Sequence, residues 1–511
     1  MKQNHLRTMG GLVFGLLISS QAQAASFEPL GVRALGMGGA NIASVRDANG
    51  SYWNPAVYGF FGNDDKANKA ADNNRMADKD WGTGVDAGVG VSVHGDMASI
   101  VDKLGKINYN ALSATGAAGT QYTPQQIADS LLLVSQLGGL NTPKTGLEIN
   151  ANGEFDIRVG HFGLGVRTLA SVGVSANVDL VNIAPSTAPV GTNATVNAFN
   201  NAAVGAAGAP VGGYVYLNTA QATSMVTSLT NAGVAPTVAQ QTVNSADAAL
   251  AAQPAAAGQQ AVITNTFNTM AGAAAGNTID KNSSAIHFRG VQLIEVPLTY
   301  GYEISPGLSV GGSIKYMQAK IYAHDIQAFG QNSGSFNSQA TNKYSTDSNF
   351  GLDMGLMYRG SKYQLGVVAK NLNSPKFKGD IYNTAGLVSG AYTYQVKPQV
   401  KIGAAYMPWD TVTVEVAGDL TSNETSLAGY NTQFVNLGLE WDMFKVLALR
   451  VGAYKNMAES DIGTVLTAGL GINLWAARLD IGAAMSTKTM QYKGKSYPTE
   501  LRGSAALNVD F

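Results

Sequence analysis

The run LEINANGEFDIRV, residues 147–159, alternates apolar and polar side chains, with Leu147, Ile149, Phe155 and Val159 on one face. A period of two sustained over this length predicts a β-strand with one apolar face and one polar face. Two residues further on the alternation resumes, which predicts a second strand after a tight turn.

The same alternation recurs along the chain, and we count fourteen segments. They are residues 85–93, 147–159, 162–174, 294–302, 308–316, 352–358, 363–369, 400–406, 412–420, 435–441, 447–453, 466–474, 479–485 and 501–511. A soluble β-sandwich also alternates, so the connections must decide between a sandwich and a membrane barrel.

The connections alternate strictly between short and long. Those after even-numbered segments are short: 160–161, 305–307, 360–362, 408–410, 442–445 and 475–476. Those after odd-numbered segments are long: 96–145, 177–285, 323–347, 373–393, 422–431 and 487–498. Periplasmic turns at one end and extracellular loops at the other are typical of outer-membrane barrels. The predicted fold class is therefore all-β, a 14-stranded antiparallel transmembrane outer-membrane β-barrel.

Composition narrows the function further. The chain has 511 residues, a formal net charge of -1, 13% charged residues and no cysteine. Nucleic-acid binding is not expected because it needs a surplus of Lys and Arg, and without cysteine there are no disulfides or thiolate metal sites. We expect no metal or other cofactor, since the histidines are scattered without metal-ligand spacing.

The polar face of the segments carries Glu148, Glu154, Asp156, Arg158 and Asp353, which together look like an acid/base cluster. Polar residues are required on the inner face of such a barrel, so a salt-bridged lumen is the simpler interpretation. We predict that the protein is not an enzyme; the alternative is a barrel lipase with a Ser nucleophile and a His base.

The first residues are typical of an export signal. Lys2 and Arg7 precede an apolar run at 9–18, and Ala22-Gln23-Ala24 has the small-x-small pattern of a cleavage site. The apolar run is about half of the roughly 20 residues that cross a bilayer, so an N-terminal anchor is the weaker interpretation. We predict a cleaved signal peptide at 1–24, export, and no transmembrane helix in the mature chain.

A glycine-rich stretch precedes the first strand. Gly31-Val32-Arg33-Ala34-Leu35-Gly36-Met37-Gly38-Gly39-Ala40 is followed by Asp47-Ala48 and by Ser51-Tyr52-Trp53-Asn54-Pro55-Ala56. Clustered glycines let a backbone bend and pack closely, and Asn-Pro favours a turn. These residues alone predict a compact segment that fits inside a pore.

The order and spacing of these motifs resemble the N-terminal hatch of the long-chain fatty-acid transporter (FadL-type) barrels. Lys370-Asn371-Leu372-Asn373-Ser374-Pro375-Lys376-Phe377 and Lys397-Pro398-Gln399-Val400-Lys401-Ile402-Gly403-Ala404-Ala405-Tyr406 resemble the barrel proteins catalogued as plasmid conjugal transfer protein TraF. The resemblance covers the hatch and the C-terminal half of the wall, but not the insert at 177–285. The chain does not resemble the thioredoxin-related conjugation protein of the same name, because it has no Cys pair for redox chemistry.

The resemblance implies a barrel plugged from the periplasmic side, through which hydrophobic molecules cross the outer membrane. It assigns residues 25–80 to the hatch and 81–511 to the barrel. The plug role falls on Gly36, Gly38, Gly39, Tyr52, Trp53, Asn54, Pro55 and Ala56. The ligand-binding loops of the fatty-acid transporters do not align here, so no ligand-binding residue is assigned.

The predicted function is passive uptake of fatty-acid-like or aromatic compounds in the bacterial outer membrane. The predicted partners are outer-membrane lipid, a hydrophobic small molecule and the assembly machinery, which would read the C-terminal strand ending in Phe511. The alternatives are a conjugation-associated envelope protein with a structural or surface-contact role, and an open porin for polar solutes.

The long loops are predicted to be partly helical. Residues 236–253 and 259–275 favour helix, either packed over the barrel mouth or within a mobile loop. Thr123, with Gln126 at capping-box distance, predicts a helix that ends at Gly138-Gly139. Its apolar face either packs against the insert or lines an entrance groove.

Two further expectations concern the wall. Aromatic residues on the apolar face near segment ends predict a girdle at the membrane interface. They are Tyr300, Tyr302, Tyr316, Tyr358, Tyr363, Tyr406 and Trp441. Gly173 is a candidate bend where the wall opens, with simple packing as the alternative.

Overall fold

The fold is taken from a computed structural model. It describes residues 29–61, 81–104, 132, 135–136, 138–142, 144–179, 210, 212–253, 256–272, 283–327, 343–383, 385–444, 446–474 and 477–510. Within these ranges, no helix is long and apolar enough to cross a bilayer.

Fourteen long strands form the wall and are numbered β1 to β14 in chain order. They are Trp81–His94, Gly146–Val159, Phe162–Asn177, Ala285–Ser305, Leu308–Gln327, Ser345–Arg359, Tyr363–Lys370, Gln399–Trp409, Val412–Asp419, Phe434–Met443, Leu447–Asn456, Thr464–Leu474, Ala477–Ser486 and Glu500–Asp510. Helices α1 to α6 of the described ranges are Val32–Gly36, Gly50–Trp53, Met97–Leu104, Thr219–Asn231, Pro236–Ala251 and Gln260–Gly272, and Pro55–Phe60 forms a 3-10 helix.

The wall is a closed antiparallel sheet. Neighbours in the chain are neighbours in the sheet, β1 also pairs with β14, and β4 pairs with both β3 and β5. Closure leaves no unpaired strand edge, which is what a sheet surrounded by lipid requires. The predicted 14-stranded antiparallel barrel is confirmed.

The outer face of the wall is apolar. Val85, Phe155, Leu298 and Leu437 are 45–54% exposed, and their neighbours in sequence point inward. Outward apolar residues of β5 run from Leu308 to Tyr316. At about 3.4 Å per residue and a tilt of about 40°, this run covers about 21 Å of membrane thickness, close to the roughly 25 Å apolar band of such barrels.

The predicted girdle residues all lie on the outer face, where they are 40–62% exposed. Six of the seven lie close to a short turn. Tyr316 instead lies in the middle of β5, because that strand continues to Gln327. The prediction that Tyr316 marks a strand end is therefore wrong.

The connections follow the predicted order of lengths, with adjusted bounds. Trp409 belongs to β8 and not to the following turn. Asn177 pairs with Ala285, so the insert begins and ends one residue inside the predicted 177–285.

The predicted loop at 373–393 contains two antiparallel strands, Lys376–Asn383 and Val388–Gln395, which we call the inner hairpin. Smaller hairpins pair Asn423–Glu424 with Asn431–Thr432 and Thr489–Tyr492 with Lys495–Pro498. Residues 123–131, the turn at 475–476 and the terminal Phe511 lie outside the described residues.

The described part of the insert is helical. Helices α5 and α6 confirm the two predicted ones, and α4 precedes them. The sequence signal for α4 is a capping box. The side chain of Asn218 accepts from the backbone N–H of Gln221 at 2.9 Å, and the side chain of Gln221 accepts from the backbone N–H of Asn218 at 3.0 Å. Leu132 of the first long loop is buried in the same apolar cluster as Phe267, so this part of the loop packs against the insert.

One carboxylate ties the segment before α4, residues 215–217, to α5. Asp247 is 2% exposed and accepts backbone N–H bonds from Val215, Tyr216 and Leu217 at 2.7–2.9 Å. Leu217 is 4% exposed, so removal of the carboxylate would leave its buried N–H without this hydrogen bond.

Asp247→Ala is therefore expected to destabilise the insert by about 1–3 kcal/mol, the usual cost of buried unsatisfied groups. Limited proteolysis of the purified protein should show faster cleavage within 210–272, while the barrel keeps its heat-resistant mobility in SDS gels. Asn231→Ala, at an exposed end of α4, is the matched control and should cleave like the parent protein. Equal cleavage of all three proteins would contradict this role for Asp247.

Candidate functional site

The candidate site is the barrel lumen, which contains an N-terminal segment, residues 29–61. From Leu30 to Phe61 every residue is buried except Arg46, which is half-buried. All eight residues predicted for the plug role lie in this segment, between α1 and the 3-10 helix. That they act as a plug stays a prediction.

Two glycines of this segment lie directly against the wall. Gly38 has a φ of 65°, and a Cβ there would lie 2.6 Å from the carbonyl oxygen of Ala453 in β11. A Cβ on Gly36 would lie 3.0 Å from the Cα of Gly469 in β12. Only glycine allows backbone to meet backbone at these distances. Beside them, Asn436 donates to the carbonyl oxygen of Gly38 at 2.6 Å, next to Gly39.

A buried carboxylate of β10 collects three guanidinium groups. Glu440 is 1% exposed and pairs with Arg33 at 3.1 Å, Arg46 at 2.7 Å and Arg450 at 2.6 Å. Arg33 and Arg46 belong to the N-terminal segment, and Arg450 to β11. Burial by itself lowers the pKa of Arg46, but the carboxylates of Glu440 and Asp442 more than offset this and raise it.

A second wall carboxylate binds the backbone of the segment. Glu415 of β9 accepts N–H bonds from Ile42 at 2.7 Å, Ala43 at 2.9 Å and Ser44 at 3.0 Å. A carboxylate that accepts several backbone N–H groups makes strong, charge-assisted bonds. The segment is therefore attached to the wall by its main chain as well as by its arginines.

The Asn-Pro-Ala motif forms the start of the 3-10 helix. The side chain of Asn54 caps the helix by accepting from the N–H of Ala56 at 3.1 Å, and it donates to the carbonyl oxygen of Leu356 in β6 at 3.2 Å. Pro55 occupies the first helical position, where its missing N–H costs nothing. Ser309 of β5 donates to the carbonyl oxygen of Ala56 at 2.6 Å.

The two aromatic residues before this motif are almost completely buried. Trp53 donates from its indole nitrogen to the carbonyl oxygen of Leu30 at 2.8 Å, which ties the two ends of the segment together. The ring of Tyr52 faces the Nζ of Lys370 at 3.2 Å, and the guanidinium of Arg167 lies 5.3 Å away. Burial is the main cause that raises the pKa of Tyr52 well above its usual value.

Several inward-facing charges of the wall form ion pairs with each other. Arg167 bonds Glu154 at 2.8 Å and Asp156 at 3.3 Å, and Lys315 bridges Glu295 at 3.2 Å and Asp353 at 3.1 Å.

The remaining members of the predicted cluster are separated from each other in the lumen. Arg158 lies over the ring of Phe61 at 3.7 Å, and Glu148 accepts from Ser171 at 3.2 Å. The arrangement supports a structural, salt-bridged lumen.

A polar group of another kind lies at the long-loop end. His94 and the hydroxyl of Tyr430 both bond Asp461, at 2.9 and 2.7 Å. Burial raises the pKa of Asp461, but these two hydrogen bonds outweigh it and hold the pKa below its usual value. In the part of the chain that the structure describes, no group of three or more His, Asp or Glu residues is arranged to hold a metal ion.

Between the paired charges and the long-loop end of the barrel, the inner face of β3, β4 and β5 is apolar. The strand pattern alone did not reveal this. In β5, Gln318 and Lys320 point outward, while Ala319 and Ile321 point inward and are fully buried. Beyond Tyr316 the side chains still alternate, but the outward ones are polar and the inward ones apolar. This exchange of polarity between the two faces is the signal that sequence reasoning missed. We call the inward patch the apolar sector; it consists of Leu169, Val291, Leu293, Met317, Ala319 and Ile321, and it joins the cluster around Trp53.

The proposed bend at Gly173 has a packing explanation. Gly173 pairs with both neighbouring strands, so the ladder is continuous there. A Cβ would collide with the backbone of Ser426, which crosses the strand at this point. The β3–β4 ladder is instead interrupted opposite Pro297, which has no N–H to donate.

Comparison with solved structures finds similar chains among transporters and channels. The toluene transporter TbuX of Ralstonia pickettii is 11% identical, over 95% of this chain and 99% of its own, with a TM-score of 0.45. The monoaromatic hydrocarbon channel CymD is 10% identical over 96% and 99%, with a TM-score of 0.43. A FadL homologue of Pseudomonas aeruginosa gives the same four values. At these identities and scores, the functions of those proteins are not transferred to this chain.

Comparison with curated proteins gives no match. The model of the family described as "F plasmid transfer operon, TraF, protein" matches residues 52–419. The matched range contains both motifs, 370–377 and 397–406, that resemble TraF. The match spans the insert, so the expectation that the resemblance omits 177–285 is wrong. The match begins at Tyr52 and ends before the last five wall strands, so it covers less of the hatch and of the C-terminal half of the wall than expected. Since the match covers more than half of the chain, this closed 14-stranded barrel belongs to the TraF family.

Proposed function

We propose that the protein admits apolar compounds passively across the outer membrane. The single observation that carries this proposal is the apolar sector, which faces the lumen and not the lipid. Barrel interiors are ordinarily polar. An inward apolar surface that connects the long-loop end with the N-terminal segment offers a path that water and ions do not favour.

The energetics of such a path are suited to diffusion. Burying a Leu, Ile or Met side chain is worth about 1.5–3 kcal/mol, so each contact with an apolar solute is favourable but weak. A solute that exchanges several such contacts in turn is held loosely and can move on. No energy source is needed, because the solute moves down its own concentration gradient.

The N-terminal segment supports the proposal as the barrier to water and ions. Its residues are buried against inward-facing carboxylates such as Glu440 and Glu415. In this proposal residues 25–80 form the hatch, the leader at 1–24 directs export, and the C-terminal strand directs assembly into the outer membrane. A conjugation-associated contact role stays an alternative prediction, but it does not explain why an apolar surface faces the lumen.

Leu293→Gln is expected to reduce the uptake of radiolabelled oleate or naphthalene by cells that express the protein. Leu293 is 2% exposed within the apolar sector, and an amide there costs about 1–3 kcal/mol to desolvate along the path. This predicts a loss of uptake of about tenfold. Leu420→Gln makes the same change at a site outside the lumen that is 57% exposed and should leave uptake unchanged.

Heat-modified mobility in SDS gels verifies that both variants are folded. Equal uptake by the parent protein, both variants and cells without the protein would refute the transport proposal. An open porin is a separate outcome, which planar bilayers would reveal as ion conductance of the parent protein.

A further inference from the structure

The inner hairpin covers the apolar sector from the long-loop end. It lies in the link between β7 and β8, and it folds against β5 by a parallel ladder that joins Ala323 with Ile381. At Gly379 a Cβ would be only 3.1 Å from Ile321, so the hairpin backbone approaches the inner face of the wall closely.

One aromatic side chain of the hairpin fills the space above the apolar sector. Phe377 is fully buried and belongs to the same apolar cluster as Met317 and Ile321. Tyr394, its partner across the hairpin, stacks on it at 6.2 Å between ring centroids. The place taken by Phe377 is thus an apolar seat that holds an aromatic ring.

The hairpin pairs with the wall through a short ladder only, and side-chain hydrogen bonds to β6 and apolar packing supply its other contacts. Its parallel ladder extends only from Ala323 to Asp325, whereas wall strands pair along most of their length. At its outer side, the N–H of Lys378 donates to Asp347 at 2.7 Å and the N–H of Asp380 donates to Ser345 at 2.9 Å. The hairpin can therefore leave the wall without breaking any pairing that closes the barrel.

The two motifs that resemble TraF form the neck of this hairpin. In the first, Asn371 and Ser374 adopt positive φ values of 53° and 50°, which non-glycine residues seldom take. In the second, Pro398 precedes β8, and the N–H of Val396 donates across the neck to the carbonyl oxygen of Pro375 at 3.0 Å. Two prolines and two strained residues confine bending to this neck, while both strands beyond it stay paired.

We infer that the inner hairpin is the entry gate of the lumen, and that an apolar compound opens it by displacing Phe377 from its seat. This inference rests on the proposed function. The incoming compound replaces the contacts that Phe377 makes with the apolar sector, so little apolar surface is exposed during the exchange. The hairpin rotates at the neck, and closure behind the compound restores the barrier.

The absence of native cysteine makes the gate directly testable by cross-linking. Ala323→Cys with Ile381→Cys joins ladder partners on β5 and the hairpin. Lys378→Cys with Thr393→Cys joins exposed partners within the hairpin and is the matched control, because it leaves the hairpin free of the wall. Uptake of radiolabelled oleate and naphthalene is measured for each protein in the oxidised and reduced states.

Oxidation of the first pair should lower uptake by about tenfold or more, and reduction should restore it, since a locked gate blocks entry. The control pair should import equally in both states. Equal uptake by the locked and reduced forms of the first pair would overturn the gate while leaving the transport proposal intact. Failure of the parent protein and all reduced forms to import either probe would overturn both.

A second measurement does not depend on transport. A single Tyr394→Cys variant in detergent micelles should react with a water-soluble maleimide several-fold faster when naphthalene is added, because displacement of Phe377 exposes the facing strand. A rate unaffected by naphthalene would count against displacement. Thr393→Cys, already exposed, should react at one rate throughout.

Discussion

Glu440→Ala is expected to convert a nearly silent barrel into one that conducts ions in planar bilayers. The substitution removes the carboxylate shared by Arg33, Arg46 and Arg450 and leaves their charges close together in the lumen. Breaking a buried ion pair in this way typically costs about 3–5 kcal/mol. Arg450 keeps Asp480 at 2.6 Å and Arg46 keeps Asp442 at 2.8 Å, so the wall should survive while the N-terminal segment is held less firmly.

The matched control is Glu424→Ala, which removes an exposed carboxylate paired with Lys397. Exposed pairs contribute at most about 1 kcal/mol, so this variant should stay silent and thermally unchanged. Limited proteolysis should cut the N-terminal segment faster in Glu440→Ala only. Silent bilayers and an unaltered cleavage pattern for Glu440→Ala would show that this cluster does not hold the segment in place.

Gly38→Ala is expected to have a similarly large effect through packing alone. The alanine must adopt the left-handed conformation, which costs about 1–2 kcal/mol, and its Cβ meets the backbone of Ala453 at 2.6–2.8 Å. With an overpacking cost of about 1–3 kcal/mol, the N-terminal segment should lose about 2–5 kcal/mol of its attachment. The readouts are ion conductance and protease cutting within 29–61.

Gly429→Ala separates the two causes. Gly429 has a φ of 74° and nothing within 4 Å of its added Cβ, so this variant bears the conformational cost without the collision. It should remain silent in bilayers. If both variants conducted alike, backbone conformation and not close approach to β11 would explain the result; if neither conducted, Gly38 would have no part in seating the segment.

The wall strands could be predicted because their signal is local. From Glu154 to Val159 the residues of β2 alternate between the inner and the outer face, and this period of two is visible in the sequence itself. The upper part of β5 was harder, because beyond the membrane the outward side chains become polar and the inward ones apolar. A prediction that requires apolar residues to face lipid ends the strand at Tyr316 and misses the apolar sector.

The partners within the lumen could not be predicted in the same way. Glu440 and Arg33 are 407 positions apart, and nothing near either residue indicates the other. The inner hairpin is a comparable case. From the sequence the residues around Phe377 are predicted to lie in a loop, and only the tertiary structure shows that they pair with β5. The helices of the insert lie between these cases. The capping residues of α4, Asn218 and Gln221, are close in sequence and could be predicted, whereas the residues it packs against are distant in sequence and could not.

The amino-acid sequence alone determined that the chain alternates in fourteen segments joined by short and long links, and hence that it closes into a barrel with an apolar exterior. It did so because lipid and backbone hydrogen bonding act on each strand in the same local way. Tertiary structure alone decided which inward charge meets which, where the lumen turns apolar and what covers it. Those contacts join residues that are distant in the chain, so they exist only once the barrel has closed around them.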